Sequence, residues 1–180
     1  MSQRPVVYLI ASAAPPVRQL DEPLALLDEA GWSACVILTP TAATWIDPSS
    51  LEAKTGFPVR VHPRLPDEQD PLPPADAVLA APITFNTFNK VAAGISDTLA
   101  TSLLNELLAA DVPMVFAPCV KSALRGHPAY KSSYDLMSRH LAKIIDPNSV
   151  TDRGSGNLAT FKWPKIISEL TPRMPNNSSH

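Results

Sequence analysis

The chain has 180 residues, of which 45% are hydrophobic and 18% are charged, and its formal net charge at pH 7 is −2. This length favours one domain with a single core, and the lack of a basic excess argues against a nucleic-acid-binding protein. No apolar run approaches the length of a membrane span and the N-terminus shows no signal-peptide pattern, so we expect a cytoplasmic protein without a membrane partner.

The first predicted elements are a strand and a helix. Residues 6–10 form an apolar run rich in β-forming side chains, which is typical of a strand buried on both faces. A helical stripe of leucines follows and ends at Gly31. Because Pro23 lies inside that stripe, the helix either begins late, capped by Asp21, or is kinked at the proline.

A second strand and a proline-rich loop come next. Residues 34–38 predict the strand, and a short helix is expected between Asp47 and Gly56. Residues 59–61 predict a weak third strand. Prolines crowd the segment 57–74, which we therefore expect to be a stiff, extended loop.

Two strands frame the helices in the middle of the chain. Residues 77–80 predict a fourth strand, and residues 86–93 predict the helix that follows it. A leucine-rich helix is expected to begin at a cap formed by Ser96 or Asp97. Residues 113–117 predict the fifth strand.

The pattern weakens toward the C-terminus. Residues 128–143 predict a helix, and residues 144–145 are a candidate for a short sixth strand. We expect a loop at residues 152–157, a short helix at residues 164–170 and a disordered tail at residues 171–180.

Strands and helices alternate through most of the chain. This alternation predicts an α/β fold, a Rossmann-like three-layer sandwich with helices on both faces of a parallel sheet. Such sheets bind ligands beyond the carboxyl ends of their strands, near the point where the strand order reverses. Ser12, Thr39 and Thr84 follow three predicted strands, so they are placed to converge on one ligand.

The cysteines and histidines form no metal-binding pattern. Cys35 and Cys119 belong to no Cys-x-x-Cys pair, and the four histidines are scattered. We therefore expect no metal site, and a reducing cytoplasm.

The segment after the fourth predicted strand is the most informative. A strand that ends in small and polar residues before a helix N-terminus provides free backbone N–H groups, which suit an anion. Residues 82–87 read Pro-Ile-Thr-Phe-Asn-Thr, and residues 94–99 read Gly-Ile-Ser-Asp-Thr-Leu. They resemble the Pro-Ala-Ser-Ala-Asn-Thr and Gly-Ile-Ala-Asp-Asn-Leu segments of the homo-oligomeric flavin-containing cysteine decarboxylases, which include phosphopantothenoylcysteine decarboxylases and lantibiotic peptide decarboxylases.

Two further segments resemble the same family. Residues 9–14 are similar to its Thr-Gly-Ser-Ile-Ala turn, and residues 36–42 are similar to its Val-Val-Met-Thr-Pro-Ala-Ala segment. The resemblance extends over roughly residues 5–145. It implies a noncovalently bound flavin mononucleotide (FMN). The cofactor contacts that it implies are Ser12, Thr39, Thr84, Phe85, Asn86, Thr87 and Cys119.

Each of these residues also has an ordinary structural interpretation. Asn86 alone would be read as a helix cap, and Ser12 and Thr39 alone as turn residues. Cys119 is expected to pack beneath the cofactor, or to be a reactive thiol if Lys121 lowers its pKa.

The implied catalytic positions depart from the family pattern. Lys121 stands where the family has an asparagine that holds the substrate carboxylate. Glu68 stands where the decarboxylases have a histidine, and the nearest histidine, His62, lies six residues upstream. The resemblance therefore makes Lys121 the candidate carboxylate ligand and His62 the candidate acid or base. The alternative for both is a solvated loop side chain.

The resemblance implies oxidative decarboxylation of a cysteine-like small molecule or of a peptide with a C-terminal cysteine. The alternatives are a flavin prenyltransferase-like enzyme and a flavin-binding subunit without chemistry of its own. The family builds its flavin site between subunits, so we expect a homotrimer or a multiple of a trimer. Residues 1–147 would form the FMN-binding flavoprotein domain, and residues 148–180 a C-terminal loop, short helix and flexible tail.

Overall fold

The computed structural model describes residues 4–140, 142–153 and 158–173. Five parallel strands form its main sheet in the order β2-β1-β3-β4-β5. The strands are β1 (Val6–Ala11), β2 (Ser33–Leu38), β3 (Ala77–Ile83), β4 (Met114–Pro118) and β5 (Ala142–Ile144). The predicted α/β, Rossmann-like sandwich with a parallel sheet is confirmed.

Helices connect the strands and cover the sheet. A short 3-10 helix at Pro15–Gln19 precedes the first of them. The α-helices of the described residues are α1 (Asp21–Glu29), α2 (Pro40–Ala43), α3 (Pro48–Thr55), α4 (Phe85–Ala92), α5 (Leu99–Ala109), α6 (Ser122–Arg125), α7 (Pro128–Met137), α8 (Pro147–Val150) and α9 (Trp163–Ile167). Within these residues no helix combines the length and the apolar character needed to cross a membrane.

The two faces of the sheet build two separate cores. Alternate residues of β1 point to opposite faces, so Leu9 packs in one core and Ile10 in the other. The first core includes Leu27 of α1 and the second includes Phe88 of α4 and Leu104 of α5. Burial on both faces explains why the strand sequences are continuously apolar rather than alternating.

Residues 59–61 do not form the predicted third strand. Their contact with the sheet is one bridge, in which the Arg60 N–H donates to Val36 O at 3.0 Å and the Leu38 N–H donates to Arg60 O at 2.9 Å. Pro58 and Pro63 flank this bridge and have no N–H to extend a ladder, so the pairing stops after one residue.

Two helix boundaries differ from those predicted. The first leucine-rich helix begins late, at Asp21 rather than at a kink, and Leu20 precedes it without a side-chain cap. Helix α5 is capped by Thr98 and not by Ser96 or Asp97. The Thr98 hydroxyl accepts from the Thr101 N–H at 3.2 Å, and the Thr101 hydroxyl accepts from the Thr98 N–H at 3.0 Å.

The helix predicted for residues 128–143 ends early because its last residues pair with a strand. Helix α7 ends at Met137 instead of residue 143, and Ala142–Ile144 joins the sheet as β5 beside β4. The short sixth strand expected at residues 144–145 therefore lies two residues earlier and is the fifth strand of the sheet. Pairing with the backbone of β4 supplies the hydrogen bonds that a longer helix would have supplied.

The C-terminal segment packs on the main core. Strands β6 (Thr151–Arg153) and β7 (Ala159–Phe161) form an antiparallel pair that flanks the region predicted as a loop, and β6 includes the first two residues of that region. Helix α9 lies where a short helix was expected, and its Trp163 is 0% exposed in the first core. Residues 154–157 of the predicted loop and residues 174–180 of the predicted tail lie outside the described residues.

The tail prediction does not hold for Arg173. Its N–H donates to Asp76 O at 2.9 Å, just before β3 begins. The last described residues therefore reach the end of the sheet at which its strands begin.

If the C-terminal segment is part of the core, Trp163→Ala should destabilise the whole fold. Removing a fully buried indole leaves a cavity and costs about 3 to 5 kcal/mol of unfolding free energy. Urea denaturation followed by circular dichroism measures this change.

Trp45→Ala is the matched control because Trp45 is 43% exposed and its loss creates no cavity. Equal effects of the two substitutions would contradict the packing described here.

Candidate functional site

A cavity of about 260 Å³ lies beyond the carboxyl ends of β1, β2 and β3. The strand order reverses between β1 and β3, which is where parallel α/β sheets bind their ligands. Five of the seven predicted cofactor contacts line this cavity. They are Ser12, Thr39, Thr84, Asn86 and Thr87.

Ser12 ties the end of β1 to the end of β3. Its N–H and its hydroxyl both donate to Pro82 O, at 2.9 and 3.0 Å, and its hydroxyl oxygen accepts from the Thr84 N–H at 2.8 Å. The side chain is 1% exposed. Because its hydrogen is committed to Pro82, Ser12 shapes the cavity wall rather than offering a donor to an anion.

Thr84 begins helix α4 at the cavity. Its hydroxyl oxygen accepts from the Thr87 N–H at 3.3 Å and its hydroxyl donates to Thr87 Oγ1 at 3.1 Å. Thr84 is therefore the helix cap, and the alternative interpretation of Asn86 as that cap is wrong. The N-terminus of this eight-residue helix gives the cavity a partial positive charge, which favours an anionic ligand.

Thr39 holds a similar position after β2. Its N–H donates to Ala11 O at 3.0 Å, and its hydroxyl oxygen accepts from the Ala42 N–H of α2 at 3.4 Å. Thr41, two residues further along the chain, also lines the cavity. Hydroxyl groups therefore face the ligand space from the ends of two different strands.

Sequence reasoning missed an ion pair in the same cavity. Lys90 and Asp97 both line it, and the Lys90 ammonium pairs with the Asp97 carboxylate. The Thr101 hydroxyl also donates to Asp97 Oδ1, at 3.4 Å. The hydrogen bond from Lys90 holds the pKa of Asp97 below its usual range. The spacing from Asn86 to Lys90 is one helical turn, which is the signal that would have found Lys90.

Phe85 does not line the cavity. Its ring packs toward α7, where its centroid is 6.4 Å from that of Tyr130 and 5.6 Å from that of His127. The successive side chains of the first turn of α4 point in different directions, so Asn86 faces the cavity while Phe85 packs against the neighbouring helix.

Cys119 also lies outside the cavity lining, although it is at the same edge of the sheet. Its N–H donates to Ile83 O at 2.8 Å, which continues the pairing of β3 with β4. Burial raises the pKa of the Cys119 thiol, an effect that Arg153 partly opposes. This direction disfavours the reactive-thiol alternative and favours a neutral packing role.

The two predicted catalytic residues are far apart within one chain. Lys121 is exposed and precedes α6 at the end of β4. His62 is exposed in the proline-rich loop beside β2, where it lines a second cavity with Arg64 and Glu68. Three strand spacings separate β2 from β4, which is roughly 14 Å. Lys121 and His62 are therefore not close to each other within one chain.

Two basic residues near Lys121, Arg125 and His127, have structural partners. Arg125 Nη1 donates to Asn148 Oδ1 at 2.8 Å, and His127 Nδ1 accepts from the Ala129 N–H at 3.1 Å as the cap of α7. Within the described ranges, no group of three or more histidine, cysteine or acidic side chains is placed to hold a metal ion.

The family model described as Flavoprotein matches residues 8–174. Among curated proteins, the chain is 28% identical over 146 residues to the coenzyme A biosynthesis bifunctional protein CoaBC of Thermococcus kodakarensis, covering 76% of this chain and 35% of that protein. It is 30% identical over 145 residues to a probable phosphopantothenoylcysteine decarboxylase of Streptococcus mutans, covering 74% of this chain and 79% of that protein. The chain spans about a third of the length of the first of these relatives.

Solved structures share the fold. The peptidyl-cysteine decarboxylase EpiD superposes with a TM-score of 0.70 at 18% identity, over 92% of this chain and 98% of that chain. The FMN binding protein AtHal3 superposes with a TM-score of 0.71 at 19% identity, over 92% of this chain and 94% of that chain.

Ser12→Ala tests the link between the strand ends. The substitution leaves the half-buried Thr84 N–H without its acceptor, so we expect a loss of about 1 to 3 kcal/mol of unfolding free energy. Chemical denaturation measures it. Ser50→Ala on the exposed face of α3 is the control and should change stability by less than about 0.5 kcal/mol. A loss no larger than that of the control would argue against the link.

Lys90→Met tests the ion pair through the titration of Asp97. Without its hydrogen-bond donor, the pKa of Asp97 should rise into the usual range of an aspartate. Nuclear magnetic resonance of the carboxyl carbon follows this change directly. An unchanged titration of Asp97 would show that Lys90 is not its partner.

The sign of the accompanying stability change follows from linkage. Because the folded-state pKa of Asp97 is lowered, its stabilising effect is present above the usual aspartate pKa and is lost as the pH falls through the folded-state value. Acidification should therefore destabilise the wild-type protein more than the Lys90→Met variant over that interval.

Proposed function

This chain belongs to the Flavoprotein family, and we propose that it is an FMN-dependent decarboxylase of a cysteine-like small molecule or of a peptide that ends in cysteine. The convergence of five predicted contacts on one cavity at the β1–β3 reversal carries this proposal. All five lie in residues 1–147, which we propose as the FMN-binding unit.

The lining suits the phosphate end of FMN. Thr39 and Thr87 bring hydroxyls to the cavity, Asn86 brings an amide, and the N-terminus of α4 adds a partial positive charge. These groups would hold the phosphate, while Ser12 fixes the distance between β1 and β3. The donor set therefore fits the cofactor.

Bound FMN supplies the ability to accept a hydride from the substrate carbon that bears the thiol. The protein then has to bind and orient the substrate. Lys121 lies at the end of β4, next to β3, and its exposed ammonium would pair with the substrate carboxylate. The neutral Cys119 would pack beside the substrate and cofactor without reacting.

We propose that the working form is a homotrimer or a multiple of a trimer in the cytoplasm. Within one chain His62 lines a different cavity from the predicted cofactor contacts, so we propose that an acid or base at His62 serves a site that a neighbouring subunit completes. Burial of the exposed proline-rich loop between subunits would also bring that histidine into a drier environment.

A flavin-binding subunit without catalysis is the second candidate. The observation that favours it is that His62 does not line the cavity and lies on a loop beside β2, whereas Lys121 follows β4. Such a subunit would bind FMN as tightly as an enzyme and leave cysteine-ending substrates intact.

Asn86→Asp tests the cofactor site. A new carboxylate beside the phosphate should weaken FMN binding at least about tenfold, because like charges then face each other in the cavity. Isothermal titration calorimetry and the flavin absorbance of the purified protein measure this loss. Asn105→Asp on α5 is the matched control, since Asn105 bonds Ser96 and does not line the cavity.

Substrate turnover separates the two candidates. Mass spectrometry of peptides and small molecules that end in cysteine should detect loss of carbon dioxide with the FMN-loaded protein. FMN binding without such loss would favour the non-catalytic subunit, and failure of the wild-type protein to bind FMN would overturn both.

A further inference from the structure

We propose that Lys90 neutralises the cofactor phosphate and that Asp97 is the counterion that keeps Lys90 at the cavity until the phosphate replaces it. This inference rests on the proposed function, because it concerns the same cavity. It goes further in naming the residue that distinguishes a phosphorylated flavin from an unphosphorylated one.

The position of Lys90 supports this role. It lies four residues after Asn86 and three after Thr87 on α4, so the three side chains share one face of the helix. All three line the cavity. Among the described residues of that lining, Lys90 carries the only cationic side chain.

The charge of a phosphate monoester exceeds what the helix can balance. Such a group carries about −1.5 to −2 charges at neutral pH, whereas a helix N-terminus offers only about half of one positive charge. The hydroxyls and the amide of the lining are neutral. A full positive charge lowers the electrostatic cost of binding the dianion, and Lys90 is placed to supply it.

The ion pair with Asp97 explains why the Lys90 ammonium stays at the cavity when no ligand is bound. The Lys90 side chain is 28% exposed and is held by the Asp97 carboxylate across the turn that joins α4 to α5. The Asp97 carboxylate is ionised at neutral pH, and the hydrogen bond from Lys90 holds its pKa below the usual range. Because Asp97 is itself 47% exposed, water can solvate it once the Lys90 ammonium turns to the phosphate.

The pair therefore predicts selectivity. FMN and riboflavin share the ring and the ribityl chain and differ in the phosphate, so the ratio of their dissociation constants reports on the phosphate contacts alone. A charge-assisted hydrogen bond from a lysine changes such a ratio by about tenfold to a hundredfold.

The experiment measures the dissociation constants of FMN and riboflavin by calorimetry for the wild type, Lys90→Met, Lys90→Arg and Lys54→Met. Lys54 is the matched control because it pairs with Asp21 at 2.6 Å, outside the cavity. Lys90→Met should lower the preference for FMN at least about tenfold and leave riboflavin affinity unchanged. Lys90→Arg should retain most of the preference, and Lys54→Met all of it.

Asp97→Asn supplies an independent arm. Removing a negative charge from the cavity should strengthen the preference for FMN, since Lys90 is then released from its counterion. Thermal unfolding of each variant checks that it is folded.

Three outcomes would overturn the proposal. They are an unchanged preference in Lys90→Met, an equal loss of riboflavin and FMN affinity in that variant, and a weakened preference in Asp97→Asn. If wild-type protein binds riboflavin and FMN equally, Lys90 has no phosphate to neutralise and this proposal fails while flavin binding stands. If it binds neither flavin, the proposed function fails as well.

Discussion

The bonds between Ser12 and the Pro82–Thr84 segment set the geometry on which the candidate site depends. Parallel pairing places the ends of β1 and β3 next to each other, but it does not fix the distance between the loops that leave them. One buried hydroxyl fixes that distance by donating to Pro82 O and accepting from the Thr84 N–H. The start of α4, and with it the direction of its N-terminal N–H groups, follows from this link.

The cavity combines groups that act on an anion at different ranges. Hydroxyls from Thr39 and Thr87 act only at contact distance, and the N-terminus of α4 acts over the first helical turn. The Lys90 charge acts over a longer distance, and its partner Asp97 limits that reach as long as the two are paired. The family membership of the chain and this donor set support the same assignment of the site to a flavin phosphate.

Much of the fold could be predicted because its determinants are local. The buried strands are continuous apolar runs, and residues 82–87 carry a recognisable pattern at a strand end. The failures have both distant and local causes. Ala142–Ile144 becomes a strand because β4 offers an unpaired edge, and residues 59–61 fail to become one between two prolines. In the site, Lys90 was missed because its partner, Asp97, lies in the loop that follows the helix. The orientation of Phe85 was missed because it depends on packing against Tyr130, which the sequence pattern does not show.

The path of the last described residues has a practical consequence. Arg173 bonds to the backbone at Asp76, where β3 begins, whereas the cavity lies where β1, β2 and β3 end. The full length of the sheet therefore separates the two. A reporter attached at position 173 therefore leaves the mouth of the cavity unobstructed. Immobilising the protein through the same position would leave the cavity facing the solution.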